Sequence, residues 1–181
     1  MSNIKKIILD HSQLNLTINR LCFEIIENHI SNIENSVLVG MQPRGINLAA
    51  RIHQILEKNT RKKIKNGNLD TTFFRDDFRR REDILIPKKT SIDFTLESKN
   101  IILIDDVLYT GRSVRSALDA LISFGRPKSV ELLVLIDRRF SRELPIQPKY
   151  IGKSIDVIEN EYVVVSWEDT EPTVTLLNEQ I

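Results

Sequence analysis

Two adjacent carboxylates, Asp105 and Asp106, are followed by Val107-Leu108-Tyr109 and then by Thr110-Gly111-Arg112-Ser113. Neighbouring carboxylates accept hydrogen bonds from vicinal hydroxyls, and they hold Mg²⁺ either directly or through water. The turn has the opposite chemistry. Gly111 lets backbone approach a ligand closely, Thr110 and Ser113 offer hydroxyls, and the free N–H groups of a helix start favour an anion. Hydroxyls held beside a phosphate describe a sugar phosphate. The plainer alternative is that the acidic pair ends a strand and Thr110 caps a helix.

These residues need a rigid frame on both sides. Ile101-Ile102-Leu103-Ile104 is too uniformly apolar for a half-exposed strand, so it reads as the central strand of a sheet covered on both faces. Beyond the turn, Val114, Ala117, Leu118, Leu121 and Ile122 recur at helical spacing, until Gly125 and Pro127 end the helix.

The same architecture occurs earlier. Ser36-Val37-Leu38-Val39-Gly40 reads as a strand and Met41-Gln42-Pro43-Arg44-Gly45 as a turn, and Ile46, Leu48, Ala49, Ile52 and Ile55 mark an amphipathic helix, giving a second candidate anion loop. Before it, Ile7-Ile8-Leu9 is a short strand or extended segment, and Leu14, Ile18, Leu21, Ile25 and Ile26 predict a packing helix over about 12–28, capped by Asp10 or Ser12. The basic run Lys58, Arg61, Lys62, Lys63 and Lys65 ends at Asn66-Gly67-Asn68, a turn signal. It reads as a solvated helix end or as a patch for an RNA backbone.

Leu69 to Asp77 is expected to be a strand, and Ser91-Ile92-Asp93-Phe94 a second, forming a β-hairpin that folds over the site. Ser129 to Ile136 is another buried strand, ending at Asp137-Arg138. Tyr162 to Trp167 is a last strand, and Val174 to Leu177 a short edge.

Composition narrows the setting. With 181 residues, 41% of them apolar and 28% charged, the chain suits one domain over residues 1–181 with a sizeable core. The net charge of +1 gives no global drive toward nucleic acid. Cys22 alone makes no internal disulfide and is expected to be a buried thiol, while His11, His29 and His53 lack the spacing of zinc ligands. No apolar run approaches a membrane span and residues 1–6 carry no signal-peptide pattern, so no membrane partner and a cytoplasmic location are expected.

The apolar strand, acidic pair and Thr-Gly-Arg-Ser turn together resemble the phosphoribosyl pyrophosphate (PRPP) motif of type I phosphoribosyltransferases. The longer string Asp105-Asp106-Val107-Leu108-Tyr109-Thr110-Gly111-Arg112 is similar to one branch of them, the PyrR family of pyrimidine operon attenuators and uracil phosphoribosyltransferases. The resemblance implies an α/β fold: a mainly parallel twisted sheet with helices on both faces and a small β hood, here at about 69–98. It also implies a substrate, PRPP, and a cofactor, Mg²⁺, held by Asp105 and Asp106 directly, through water or through the ribose.

On the same basis Val107 to Ser113 bind the ribose 5-phosphate, and Pro43 and Arg44 form the pyrophosphate loop, where relatives usually have Thr-Arg. Arg75 helps from the hood. Asp137, Arg138 and Val165 lie at the nucleobase end. Arg44, Arg75, Asp105 and Asp106 are the catalytic candidates. The segment Asp137 to Ile146 is similar to the family's Asp-Arg-Gly-His-Arg-Glu-Leu-Pro-Ile, with one extra residue and no His.

The implied base is uracil and the product UMP. Purine members of the class typically carry a carboxylate just before the Thr-Gly turn, where this chain has Tyr109; a tyrosine side chain in a model peptide titrates at about 10. Tyrosine is a poor general base near neutral pH. The family also implies a homo-oligomer and an alternative role, a UMP-responsive RNA-binding regulator. Against specific RNA binding, relatives with that role have Thr-Arg, a His and a further Arg on the first helix, aligning with Asn19-Arg20, Phe23 and Asn28. Any RNA affinity is therefore expected to be non-specific.

Overall fold

The computed structural model describes residues 4–76, 89–157, 161–167 and 171–178. Its main sheet contains β2 (Ser36–Met41), β3 (Lys65–Leu69), β4 (Asn100–Leu108), β5 (Ser129–Arg139) and β6 (Tyr150–Asp156), all parallel, in the order β3-β2-β4-β5-β6. Helix α2 (Gly45–Thr60) connects β2 to β3, and α3 (Arg112–Leu121) lies between β4 and β5.

The aliphatic run of β4 divides between two cores. Ile102 and Ile104 pack with α2 and with α1 (His11–His29), whereas Ile101 and Leu103 pack with Val114, Ala117 and Leu121 of α3. A strand clothed on both faces needs apolar side chains at every position, which is why alternation is missing there. Helix α1 begins on a reciprocal cap. Asp10 Oδ1 accepts the Gln13 N–H at 2.8 Å, and the Asp10 N–H donates to Gln13 Oε1 at 3.2 Å. Cys22 is fully buried on its inner face, where burial pushes the thiol up to about 12.

The order in which strands are laid down reverses between β2 and β4. From β2 the chain goes through α2 to β3 on one side, and β4 pairs on the other, with α2 and α3 on opposite faces. Open parallel sheets bind ligands at such a switch point, beyond the carboxyl ends of the two strands. The loops that follow β2 and β4 meet there.

A second sheet joins the two ends of the chain. β1 (Ile4–Leu9), β7 (Glu161–Ser166) and β8 (Thr173–Asn178) are antiparallel in the order β1-β8-β7. The segment expected as an edge, Val174 to Leu177, is thus the middle strand. Val174 and Leu176 are buried in the core.

Two local expectations are corrected. Asn66-Gly67-Asn68 is not a turn but the middle of β3, paired with Leu38, Val39 and Gly40. β3 sits at the sheet edge, where the backbone ladder and two apolar anchors, Ile64 and Leu69, hold a strand otherwise rich in polar residues. Of the strand expected over 69–77 only Leu69, the last residue of β3, is strand among the described residues, and Thr72–Phe74 is a single 3-10 turn. Residues 77–88 of the expected hairpin lie outside the described residues. In 91–94 only Ser91 bridges, to Asn68.

The end of the sheet remote from the switch point is closed by a polar network. Glu131 Oε2 accepts the Tyr150 hydroxyl at 2.8 Å and lies 2.9 Å from His29 Nε2, while Lys149 Nζ donates to Glu131 Oε1 at 2.6 Å. Burial raises the Glu131 carboxyl, but the hydrogen bonds from Lys149, His29 and Tyr150 outweigh it and hold the group below its ordinary 4.5. A depressed carboxylate stabilises the fold above its unfolded pKa, and this contribution is lost as pH falls through the folded value. Tyr150→Phe is therefore expected to cost about 1–2 kcal/mol at neutral pH. Chemical denaturation at pH 7 and at pH 4 should show the deficit shrinking in acid.

Candidate functional site

Beyond the carboxyl ends of β2 and β4 a cavity of about 280 Å³ is lined by Arg75, Asp105, Val107, Leu108, Tyr109, Thr110, Gly111, Arg112, Ser113 and Val114. Every residue from Val107 to Ser113 singled out in the sequence lies on this wall. So does Arg75, brought in from the segment after the 3-10 turn. Gly111 turns the chain with φ +90°, a conformation costly for any side chain, and a Cβ there would also lie 3.2 Å from Ile146 Cδ1. Helix α3 starts at once; Gly111 at its N-cap supplies no side-chain cap, and the Arg112 N–H reaches the Thr110 hydroxyl at 3.4 Å.

The two carboxylates differ. Asp105 Oδ1 accepts the Asp106 N–H at 2.9 Å, and Asp106 Oδ1 accepts the Val107 N–H at 2.8 Å. Asp106 is 5% exposed, and its Oδ2 is buried without a hydrogen-bond partner. A buried carboxylate oxygen left unpaired is costly, and its natural complement is a hydroxyl or a cation. Burial, reinforced by the charge of Asp106, pushes the Asp105 carboxyl well above the ordinary range, against the pull of the Asp106 N–H and Arg44. Burial also raises Asp106, with Arg44 the main opposing influence.

Arg44 reaches this field because its loop is pressed against β4. A Cβ on Gly45 would stand 2.4 Å from the Ile104 carbonyl oxygen and 3.0 Å from Asp105 Cα, so only glycine permits the approach. The preceding Gln42–Pro43 peptide is cis. Pro43 and Arg44 are exposed at the start of α2, beside the acidic pair but outside the cavity wall.

The nucleobase candidates lie to the other side. The Arg138 guanidinium stacks 4.0 Å from the centroid of the Tyr109 ring, and its Nε is buried without a hydrogen-bond partner. Burial lowers its pKa, opposed by Tyr109 and by Glu161 of β7. Asp137 is buried and paired with Arg142. Val165 packs in the hydrophobic core on β7 and does not line the cavity.

Sequence reasoning gave no role to Arg142 and Glu143. Arg142 donates both to the Tyr109 carbonyl and to Asp137, and the Thr110 carbonyl accepts the N–H groups of Glu143, at 3.1 Å, and Leu144, at 3.2 Å. The segment after β5 thereby clamps the turn after β4. Glu143 also holds Arg112, whose Nε donates to Glu143 Oε2 at 2.6 Å while Nη1 pairs with Asp76. The string Arg142-Glu143-Leu144-Pro145-Ile146 was the available signal, but a contact spanning thirty-odd positions leaves no periodic trace.

No group of three metal-ligating side chains occurs among the described residues. Two carboxylates, one carrying an unpaired buried oxygen, suit Mg²⁺, which usually takes one or two protein carboxylates and completes its shell with water and substrate phosphate. No described helix is long and apolar enough to cross a membrane.

Residues 5–171 match the family model described as a phosphoribosyl transferase domain. The chain is 44% identical to the bifunctional protein PyrR of Elusimicrobium minutum over 96% of this chain and 97% of that protein. It is 42% identical to the bifunctional protein PyrR of Clostridioides difficile, over 93% and 96%. Among solved structures, a hypoxanthine phosphoribosyltransferase from Staphylococcus aureus superposes with a TM-score of 0.73, at 20% identity, covering 97% of this chain and 92% of that one. The hypoxanthine phosphoribosyltransferase of Trypanosoma cruzi gives 0.74 at 14% identity, over 97% and 98%. At these identities the likeness to the solved structures concerns the fold alone.

Proposed function

The chain belongs to the phosphoribosyl transferase family and, within it, to the PyrR proteins, and from that membership we propose that it joins uracil to PRPP, forming UMP and releasing pyrophosphate. The observation that carries this reading is the juxtaposition at the end of β4 of a buried carboxylate, Asp106, whose Oδ2 has no hydrogen-bond partner, with a helix start whose N-cap, Gly111, supplies no side-chain cap. One end suits ribose hydroxyls and the other a 5′-phosphate.

In the reaction, N1 of uracil forms a bond to C1′ while the bond from C1′ to the pyrophosphate oxygen breaks, and the N1 proton passes to solvent water. Positive charge develops on the ribose ring. Asp105 and Asp106 hold the ribose hydroxyls and place carboxylate charge beneath that ring, with Asp106 closed off from bulk water. The N–H groups from Gly111 to Ser113, with the hydroxyls of Thr110 and Ser113, anchor the 5′-phosphate. Arg44 and Arg75 receive the departing pyrophosphate. Asp105 and Asp106 would also hold Mg²⁺, which when bound would supply positive charge to offset the charge of the phosphate oxygens. Catalysis of this kind is positioning and charge stabilisation.

The base end distinguishes pyrimidine from purine. Tyr109, stacked against Arg138, occupies the position before the Thr-Gly turn, and a phenol there has no useful basicity toward a purine ring proton. Uracil, hypoxanthine, guanine and adenine should be offered in turn with PRPP and Mg²⁺, and nucleotide formation followed. Uracil is expected to be converted, with each purine at least about a hundredfold slower, a difference of about 3 kcal/mol. Preferential use of a purine would sink the assignment.

A second reading, an RNA-binding regulator that senses UMP through this pocket, draws on the relatives' designation as bifunctional. The basic residues Lys63 and Lys65 line an open hollow with Glu34, His53, Glu57, Ile64 and Asn66 at the remote end of β3. Phosphate contacts of this sort give salt-sensitive affinity without sequence preference.

A further inference from the structure

The Arg112 guanidinium joins segments that are far apart in sequence. Its Nε donates to Glu143 Oε2 at 2.6 Å, and its Nη1 pairs with the Asp76 carboxylate. Glu143 in turn is fastened to the turn after β4, where its N–H donates to the Thr110 carbonyl at 3.1 Å. A planar guanidinium presents its donors in fixed directions, so one side chain can hold two carboxylates at a set separation. With two negative charges already on it, Arg112 has no surplus positive charge to offer a phosphate. Its side chain is therefore a poor phosphate ligand and a good tether, while the backbone N–H groups and hydroxyls of the turn remain for the anion.

What the tether holds is the chain beside Arg75. Leu69 ends β3 as a buried anchor, and Asp70 fixes the next bend by accepting the Thr72 N–H, at 3.2 Å, and the Thr72 hydroxyl, at 2.7 Å. Beyond that bend apolar burial gives little hold. None of Thr72, Phe73 and Phe74 is buried, and Phe73 is 65% exposed. Arg75 nevertheless lines the cavity together with residues of β4 and α3. Because β2 lies between β3 and β4 in the sheet, the segment carrying Arg75 has to cross one strand to arrive there. Asp76, one Cα step of about 3.8 Å beyond Arg75, is fastened to Arg112 on the far side. The crossing segment is thus pinned at Asp70 and again at Asp76.

We propose that Asp76, held by Arg112, is a positioning residue: it fixes Arg75 over the cavity, where Arg75 meets the pyrophosphate group of PRPP. Asp76 touches no substrate in this role, which rests on the reading of the cavity as a PRPP site.

A pair that only stabilises the fold and a pair that positions Arg75 move different quantities. The two side chains are open to water, Arg112 at 51% and Asp76 at 37%, and pairs of this kind contribute little to stability. Asp76→Asn, which keeps the shape and removes the charge, should leave the melting temperature within about 2 °C of the parent. It should lower kcat/KM for PRPP about tenfold, less than a fully displaced group costs, because Arg75 is loosened and not removed. Asp76→Glu, which restores the charge on a longer arm, should recover most of the loss. In an Arg75→Gln background, and equally in an Arg112→Gln background, Asp76→Asn should cost nothing further.

Titration with Mg-pyrophosphate, without uracil, reads the same contact in the absence of turnover. Asp76→Asn should weaken binding about tenfold, and only while Arg75 is present. A parent chain that makes no UMP, but whose pyrophosphate affinity follows Asp76 through Arg75, would remove the proposed reaction and leave the tether standing. Parent-like turnover and pyrophosphate affinity in Asp76→Asn would overturn the tether and leave the reaction. Tighter pyrophosphate binding by Asp76→Asn, which would make the pair a brake on the site, a loss additive with that of Arg75→Gln, or a fall in melting temperature that accounts for the fall in rate would also overturn the tether. A parent chain that neither makes UMP nor binds pyrophosphate would overturn both.

Discussion

Asp105→Asn combined with Asp106→Asn is expected to lower kcat/KM for UMP formation by at least about a thousandfold, roughly 4 kcal/mol of transition-state stabilisation, while the protein stays folded and becomes slightly more stable. The amide oxygens can still accept the Asp106 and Val107 N–H groups, so the end of β4 keeps its backbone bonds. The gain in stability follows from the direction of the pKa shifts. Both carboxyls are raised in the folded chain, chiefly by burial, so ionising them costs more there than in the unfolded chain. That penalty is absent below the ordinary carboxylate pKa and grows as pH rises toward the folded values, and neutral amides remove it. Loss of function with gained stability marks a pair maintained for its ligand. Unfolding of the double variant, or full turnover by it, would show the pair to be structural. Melting curves at pH 7 beside steady-state rates distinguish the outcomes.

The second large effect is expected from Gly45→Ala. One methyl group placed 2.4 Å from the Ile104 carbonyl oxygen and 3.0 Å from Asp105 Cα meets backbone on both sides, so neither contact can be relieved by a side-chain rotation. Overpacking of this kind costs about 1–3 kcal/mol. The functional cost should be larger in proportion. Pushing the start of α2 away from β4 carries Arg44 from the acidic pair, and a shift of about 1 Å in a positioned group can lower a rate a hundredfold. Reduced melting temperature with kcat/KM down about a hundredfold is the expected result. An unaltered rate would mean that Arg44 has no part in the reaction.

Legibility differed with the physics behind each element. β4 and β2 could be read because strands buried on both faces are continuous aliphatic runs, and the loops after them because Gly111, Gly45 and Pro43 punctuate the chain. β3 was hidden. Lys65-Asn66-Gly67-Asn68-Leu69 offers the local signature of a turn, and what makes it a strand is a ladder to β2 supplied from outside the segment. The position of β8 between β1 and β7 was equally invisible, since a period of two reports exposure and says nothing about which strands lie alongside. At the site, residues contributed by one local stretch were found at once. The clamp of Arg142 and Glu143 on the turn, the Arg112 pairs with Asp76 and Glu143, and the stacking of Arg138 on Tyr109 depend on elements far apart in sequence, and nothing in their spacing announces them. Val165, inferred from resemblance alone, is a core residue.

The central claim is that the cavity at the end of β4 is a ribose 5-phosphate site. The most direct measurement is a crystal structure of the full chain with UMP and Mg²⁺. The phosphate is expected on the N–H groups and hydroxyls of Thr110 to Ser113, the ribose hydroxyls on Asp105 and Asp106, and the uracil ring toward Tyr109 and Arg138. UMP bound elsewhere, or bound here with its phosphate away from the Gly111 turn, would contradict the claim.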